Sequence, residues 1–158
     1  MNKFTHIGEK NQPKMVDVGG KNPTQRTAIA KVKMFLGTEI INHFNSNAIS
    51  TKKGPVFQTA IIAGIQAVKK TSDLIPMCHP LLINGTDIQI HIVDSESIEI
   101  ICKVSVNGKT GVEMEALTGA NIAALTVYDM CKSISQKMVI KELKLIEKTG
   151  GKTDIKNG

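Results

Sequence analysis

The chain has 158 residues with 41% hydrophobic content, which fits one globular domain around a single core. Its net charge of +6 favours an anionic partner, while 3% aromatic content, with one Tyr and no Trp, argues against a nucleic-acid binder that stacks bases on exposed rings. No apolar run reaches the roughly 18 residues of a membrane span, and residues 1–14 are polar where a signal peptide needs an apolar centre, so a cytoplasmic protein is expected.

In chain order, residues 1–14 are polar and without period and are expected to form a tail. Over residues 26–36, Ala28, Ala30, Val32 and Met34 alternate with Thr27, Ile29, Lys31 and Lys33, the period of a half-buried strand. A short helix follows, with Thr38 as its expected cap and Ile40, Ile41 and Phe44 facing inward. Residues 45–54 read as a polar loop. Pro55 suits a first helical turn, and Val56, Ala60, Ile61, Ala63, Ala67 and Val68 form the buried side of the helix it opens. After the turn-rich segment 76–80, residues 86–93 and 97–106 read as a hairpin joined by the polar link 94–96. Residues 112–134, rich in Ala, Leu and Met, read as a deeply packed helix, and residues 138–146 as a closing strand. A second polar tail is expected at 151–158.

Strand, helix, strand, strand, helix, strand is the order of an α+β, ferredoxin-like domain, an antiparallel sheet covered on one face by helices. The three cysteines, Cys78, Cys102 and Cys131, are odd in number and widely spaced, which suits reduced, packed thiols better than disulfides or a metal site.

Five features carry the potential chemistry. All but one of the twenty basic residues are lysine, so Arg26 stands alone. Its planar fork grips phosphate bidentately, unless it is a surface residue of no consequence. The segment 71–80 fixes Asp73, Cys78 and His79 in a proline-bounded loop; His79 is either a ligand donor, a proton carrier or a structural histidine. Adjacent Cys78 and His79 cannot share a metal without strain, and no metal is expected. The turn Gly108-Lys109-Thr110-Gly111 mimics a P-loop, but Lys103 stands where the motif needs its first glycine. What remains is a glycine-flanked turn entering a helix whose amino end can face an anion, with Glu113 and Glu115 either ordinary first-turn acids or functional groups.

Late in that helix, Asp129 and Lys132 are neighbours on its surface. They form either an exposed ion pair or, if the apolar residues around Asp129 keep it dry, a catalytic pair. Finally, Lys148 and Lys152 flank Gly150 and Gly151, where ammonium groups and backbone can approach a phosphate. Glu115 and Asp129 are fourteen residues apart, about 21 Å along an unbroken helix. If both serve one small substrate, either the helix starts after Glu115 or two subunits build each site. The second option is preferred and predicts a symmetric oligomer.

The segments Lys14-Met15-Val16-Asp17-Val18, Lys53-Gly54, Ala63-Gly64-Ile65-Gln66-Ala67, 71–80, 108–118, 123–132 and 147–152 together closely resemble the MoaC family, the cyclic pyranopterin monophosphate synthases of molybdenum-cofactor biosynthesis. The resemblance covers roughly residues 15–152. Its most specific pieces are Ser72-Asp73-Leu74-Ile75-Pro76-Met77-Cys78-His79-Pro80 and Lys109-Thr110-Gly111-Val112-Glu113-Met114-Glu115-Ala116-Leu117-Thr118.

The resemblance implies a lyase that turns a cyclised dihydroguanosine triphosphate into cyclic pyranopterin monophosphate and diphosphate, with no cofactor. It also implies a homohexamer, a trimer of dimers with sites at the dimer interface. The family's acid/base aspartate falls on Asp129 and its lysine on Lys132; substrate contacts fall on Met77, Cys78, His79, Met114 and Glu115, and further basic positions on Arg26, Lys53 and Lys148. Pro55 and Ile62 depart from the family's usual pattern beside Lys53 and on the helix that follows. The competing class, a small basic α+β nucleic-acid-binding module, lacks aromatic residues in its expected strands 88–92 and 98–104.

Overall fold

The structure, a computed structural model, describes residues 6–8, 10–44, 50–51 and 54–157. Its elements run β1 (Thr24–Phe35), α1 (Thr38–Ile41), β2 (Ser50–Thr51), β3 (Gly54–Pro55), α2 (Val56–Lys69), α3 (Thr71–Leu74), β4 (Gly85–Ile92), β5 (Ser97–Gly108), α4 (Glu113–Cys131), β6 (Val139–Thr149) and β7 (Ile155–Lys156). The main sheet has the order β4-β5-β1-β6-β7 and every pairing is antiparallel. Its first four strands, with α2 and α4 as crossovers, form the ferredoxin-like arrangement expected from the sequence.

The alternation in β1 sorts its side chains as expected: Ala28, Ala30, Val32 and Met34 are fully buried, while Thr27, Ile29, Lys31 and Lys33 are only half-buried. Opposite them on β5, Val104, Cys102, Ile100 and Ile98 complete the same buried layer, which Val106, across from Arg26, extends. Against it lies α4, whose buried residues Ala116, Gly119, Ala120, Ala123, Ala124 and Val127 recur at helical spacing. Their small size brings backbones close: a Cβ on Gly64 of α2 would lie 2.9 Å from the Gly119 carbonyl oxygen and 3.3 Å from Ala123 Cβ. Gly119 is equally confined, with Val68 Cγ2 at 2.6 Å and Cys102 Sγ at 2.8 Å from any Cβ added there.

Several local expectations are corrected. Gly37, not Thr38, caps α1: it has φ +83°, no side-chain cap bond forms, and the amides of Leu36 and Gly37 both donate to the Glu96 carbonyl. The turn therefore needs the left-handed backbone that glycine adopts without penalty, and Thr38 becomes the first helical residue. Pro55 stands at the cap of α2, one position before its first turn, with extended backbone at φ −71° and ψ 124°. Phe57 and Gly64 are buried in α2, whereas the expected Ile61 and Ala63 are half-buried. The helix expected to reach Ile134 ends at Cys131.

Where a tail is expected after Gly151, Ile155 and Lys156 pair with Lys148 and Glu147 as the edge strand β7. Near the other end, Ile7 bridges Pro13 and the Lys14 amide donates to the His6 carbonyl. Within the expected loop 45–54, Ser50 and Thr51 pair with Pro55 and Gly54, while Lys53 lies outside the described residues.

Candidate functional site

A cleft of about 510 Å³ opens at the amino end of α4. Six pieces of chain surround it: His6, the segment 16–21, the start of β1, the loop 77–81, the turn 109–111 with the first turn of α4, and the end of β6 with the turn that follows. Of the residues expected in a site, Arg26, Met77, Cys78, His79, Met114, Glu115 and Lys148 all line it. The amino end of a 19-residue helix adds backbone amides and a favourable dipole for an anion.

Local folding explains each placement. Arg26 lies on β1, and its Nε donates to the Gly108 carbonyl at 3.0 Å, anchoring the guanidinium through one of its five N–H donors. His79 sits between two prolines in a loop tied back by Cys78 N donating to the Ile75 carbonyl at 3.0 Å. Upstream, the Thr71 hydroxyl donates to the Ala67 and Val68 carbonyls at 3.2 and 3.1 Å, fixing how the chain leaves α2. Lys148 Nζ meets Glu113 Oε1 at 2.9 Å.

Gly150, at φ +80°, turns the chain after Lys148 so closely against β1 that a Cβ would overlap the Gln25 carbonyl oxygen; its own carbonyl accepts from the Thr24 hydroxyl at 2.9 Å.

Glu115 is the buried acid of the site, only 4% exposed. Burial pushes its carboxyl above the usual carboxylate range; the nearby Glu113 charge adds to the rise, and a hydrogen bond from its own amide opposes it. Burial likewise raises the Cys78 thiol, with the Glu115 charge as a smaller cause.

Among the cleft residues that the sequence reading did not single out for a site are His6, Lys21 and Leu81, and Thr27, which reads only as a strand residue. Lys21 follows a turn in which Asp17 Oδ1 accepts from the Gly19 amide at 2.8 Å, and the Lys109 ammonium pins that turn by donating to the Gly19 carbonyl at 2.7 Å. The Asp17-x-Gly19-Gly20 pattern marked a turn, but nothing local said that residue 109 would hold it.

Asp129 and Lys132 are not in this cleft. Because α4 runs unbroken from Glu113 to Cys131, Asp129 stands about 21 Å along the helix from Glu115. The dry setting expected for Asp129 is also absent: Val127, Met130 and Cys131 turn into the core, whereas the Asp129 and Lys132 side chains are each 53% exposed and meet at 2.8 Å. That hydrogen bond, more than the charge behind it, raises the lysine's pKa and keeps it protonated. Leu125, one turn earlier, is 48% exposed beside them. Among the described residues no group of three or more His, Cys, Asp or Glu side chains has the geometry of a metal centre.

These features define the class: a ferredoxin-like protein with a cation-lined cleft at one end of its long helix and an exposed acid–lysine pair at the other. The MoaC family profile matches residues 15–151. The chain is 54% identical over 156 residues to the Molybdenum cofactor biosynthesis bifunctional protein of Synechocystis sp., spanning 96% of this chain but only 45% of that protein. It is 51% identical over 156 residues to the cyclic pyranopterin monophosphate synthase of Lysinibacillus sphaericus, spanning 97% and 96% of the two chains. With the synthase of that name from Helicobacter pylori it shares 49% identity over 155 residues, 95% and 94% of the two. The chain belongs to the MoaC family.

Proposed function

We propose that this chain is a lyase of molybdenum-cofactor biosynthesis that converts a cyclised dihydroguanosine triphosphate into cyclic pyranopterin monophosphate and diphosphate. The observation that carries the reading is the convergence of Arg26 and Lys148, with Lys21, Lys109 and Lys152, around a cleft that also holds His79 and the buried Glu115. A triphosphate brings about four negative charges, which these cations hold while they stabilise the departing diphosphate. Opening the purine five-membered ring and closing the pterin need several proton transfers, for which His79, Glu115 and Asp129 are the carriers. Lys132 holds the Asp129 carboxyl at 2.8 Å, beside the proton transfers it would serve. A sugar hydroxyl then attacks the inner phosphate, closing the cyclic monophosphate as diphosphate leaves.

Glu115 and Asp129 cannot reach one small substrate from the same chain, so each site takes its cleft from one subunit and its Asp129–Lys132 pair from another. The exposure of that pair and of Leu125 on a single chain suits a surface that a second copy covers. The assembly is a homohexamer, a trimer of dimers with sites at the dimer interface, working in the cytoplasm. Lys53 belongs to the same set of cations by resemblance. A nucleic-acid module gains no support: β4 and β5 contain no aromatic residue. Purified protein incubated with the cyclised triphosphate should yield pterin fluorescence and diphosphate in equal amounts; a folded, assembled protein yielding neither would retire the reading.

A further inference from the structure

One carboxylate sits where an anion site has no obvious use for it. Glu113 lines the cleft among the lysines and engages Lys148 at 2.9 Å, with the two side chains 27% and 26% exposed. The pairing joins residues 35 positions apart, from the first turn of α4 to the end of β6. The chain makes room for it: a Cβ on Gly111 would collide with Glu113 Oε2 and lie 2.6 Å from its Cδ. A first-turn acid serving only the helix dipole has no need to fold back over a glycine toward a cleft lysine. A cleft with five uncompensated cations, in turn, would hold a leaving diphosphate tightly and be slow to turn over.

We infer that Glu113 is a positioning residue, the counter-ion that sets Lys148 in place before the substrate arrives and competes with the diphosphate product for it, easing its release. This rests on the reaction proposed above. When phosphate oxygens take Lys148, the ion pair must open; when diphosphate leaves, Glu113 recovers its partner. Bound anion therefore always works against one internal carboxylate. Glu113 has a second neighbour in the same site, because its charge adds to the burial that raises the Glu115 carboxyl above the usual carboxylate range.

The test is calorimetric titration of the assembled protein with inorganic diphosphate at fixed salt. Glu113→Gln should bind about fivefold tighter, the ratio expected when a partly exposed ion pair no longer has to be broken. Glu113→Asp, which keeps the charge, should return toward the wild-type affinity. In a Lys148→Ala background the effect of Glu113→Gln should shrink to less than about half. A merely structural acid at the helix start predicts the opposite pattern, a lower melting temperature with unchanged diphosphate affinity.

Affinity in Glu113→Gln equal to or weaker than wild type overturns the counter-ion role, and so does an undiminished effect in the Lys148→Ala background. Wild-type turnover of the cyclised triphosphate is measured alongside. Turnover with no diphosphate effect refutes the counter-ion role alone, whereas the diphosphate effect without turnover refutes the assigned reaction and leaves the counter-ion in place.

Discussion

Co-assembly of two inactive variants, Asp129→Asn and Glu115→Gln, should restore turnover if each site draws its cleft from one chain and its aspartate from another. The geometry sets the size of the effect. On one continuous helix the two carboxyls stand about 21 Å apart, so no single chain can bring both to one substrate. Each variant alone should lose about a hundredfold or more in rate, as expected when a positioned proton carrier is removed. In a random mixture about half of the subunit pairs are mixed, and each mixed pair holds one site with both groups intact and one with neither, so about a quarter of full activity should return. The assay is diphosphate release after co-expression with two different affinity tags, with tandem purification to establish that mixed oligomers formed. Mixed oligomers that stay at the floor set by the two variants would refute a site shared in this way.

Three further outcomes follow from particular contacts. Burial raises the Glu115 carboxyl above its ordinary value of 4.5, so the folded protein holds that proton longer than the unfolded chain does. Its contribution to stability is full below about that pH and is lost as the pH climbs through the raised value; melting temperatures across that range should fall for wild type relative to Glu115→Gln. Gly150→Ala should cost about 2 kcal/mol or more by chemical denaturation, because the position combines positive φ with backbone contact to Gln25, and it should weaken diphosphate binding by shifting Lys148. Thiol labelling of the native protein should modify Cys78 alone, slowly and with protection by diphosphate, since burial pushes the Cys102 thiol up to about 12 and the Cys131 thiol to about 11; prompt reaction of either buried thiol would contradict this packing.

The sheet was legible because its strands obey simple periodicity: Ala28 to Met34 alternate in the sequence and alternate in burial. The order of elements then left few topologies for a four-stranded antiparallel core. What escaped depended on contacts distant in sequence. Ile155 and Lys156 carry no strand signal of their own and become β7 only because β6 offers an unpaired edge. Thr38 is a good cap by composition, yet the tertiary contact of Leu36 and Gly37 with Glu96 decides the turn.

In the site, segment 71–80 and the first turn of α4 stood out by their polar content, whereas Lys21 and His6 reach the cleft only through the folding of the amino-terminal segment. Asp129 shows the limit most clearly. Its apolar neighbours in sequence suggested a dry pocket, but helical periodicity sends Val127, Met130 and Cys131 inward and leaves the carboxylate outward beside exposed Leu125. The separation between Glu115 and Asp129, by contrast, could be reckoned from residue numbers alone, since rise per residue is fixed.

The touching glycines of α2 and α4 give the molecule a fulcrum. Gly119 stands about 6 Å along α4 from Glu115 and about 15 Å from Asp129. A side chain forced between Gly64 and Gly119 would act as a wedge there, and a tilt of about 10° would swing the aspartate end by about 2.6 Å and the glutamate end by about 1 Å. Displacements of about 1 Å are enough to cost a reaction a hundredfold. In the reaction proposed above, two residues that touch neither Glu115 nor Asp129 thus hold the calibration of both.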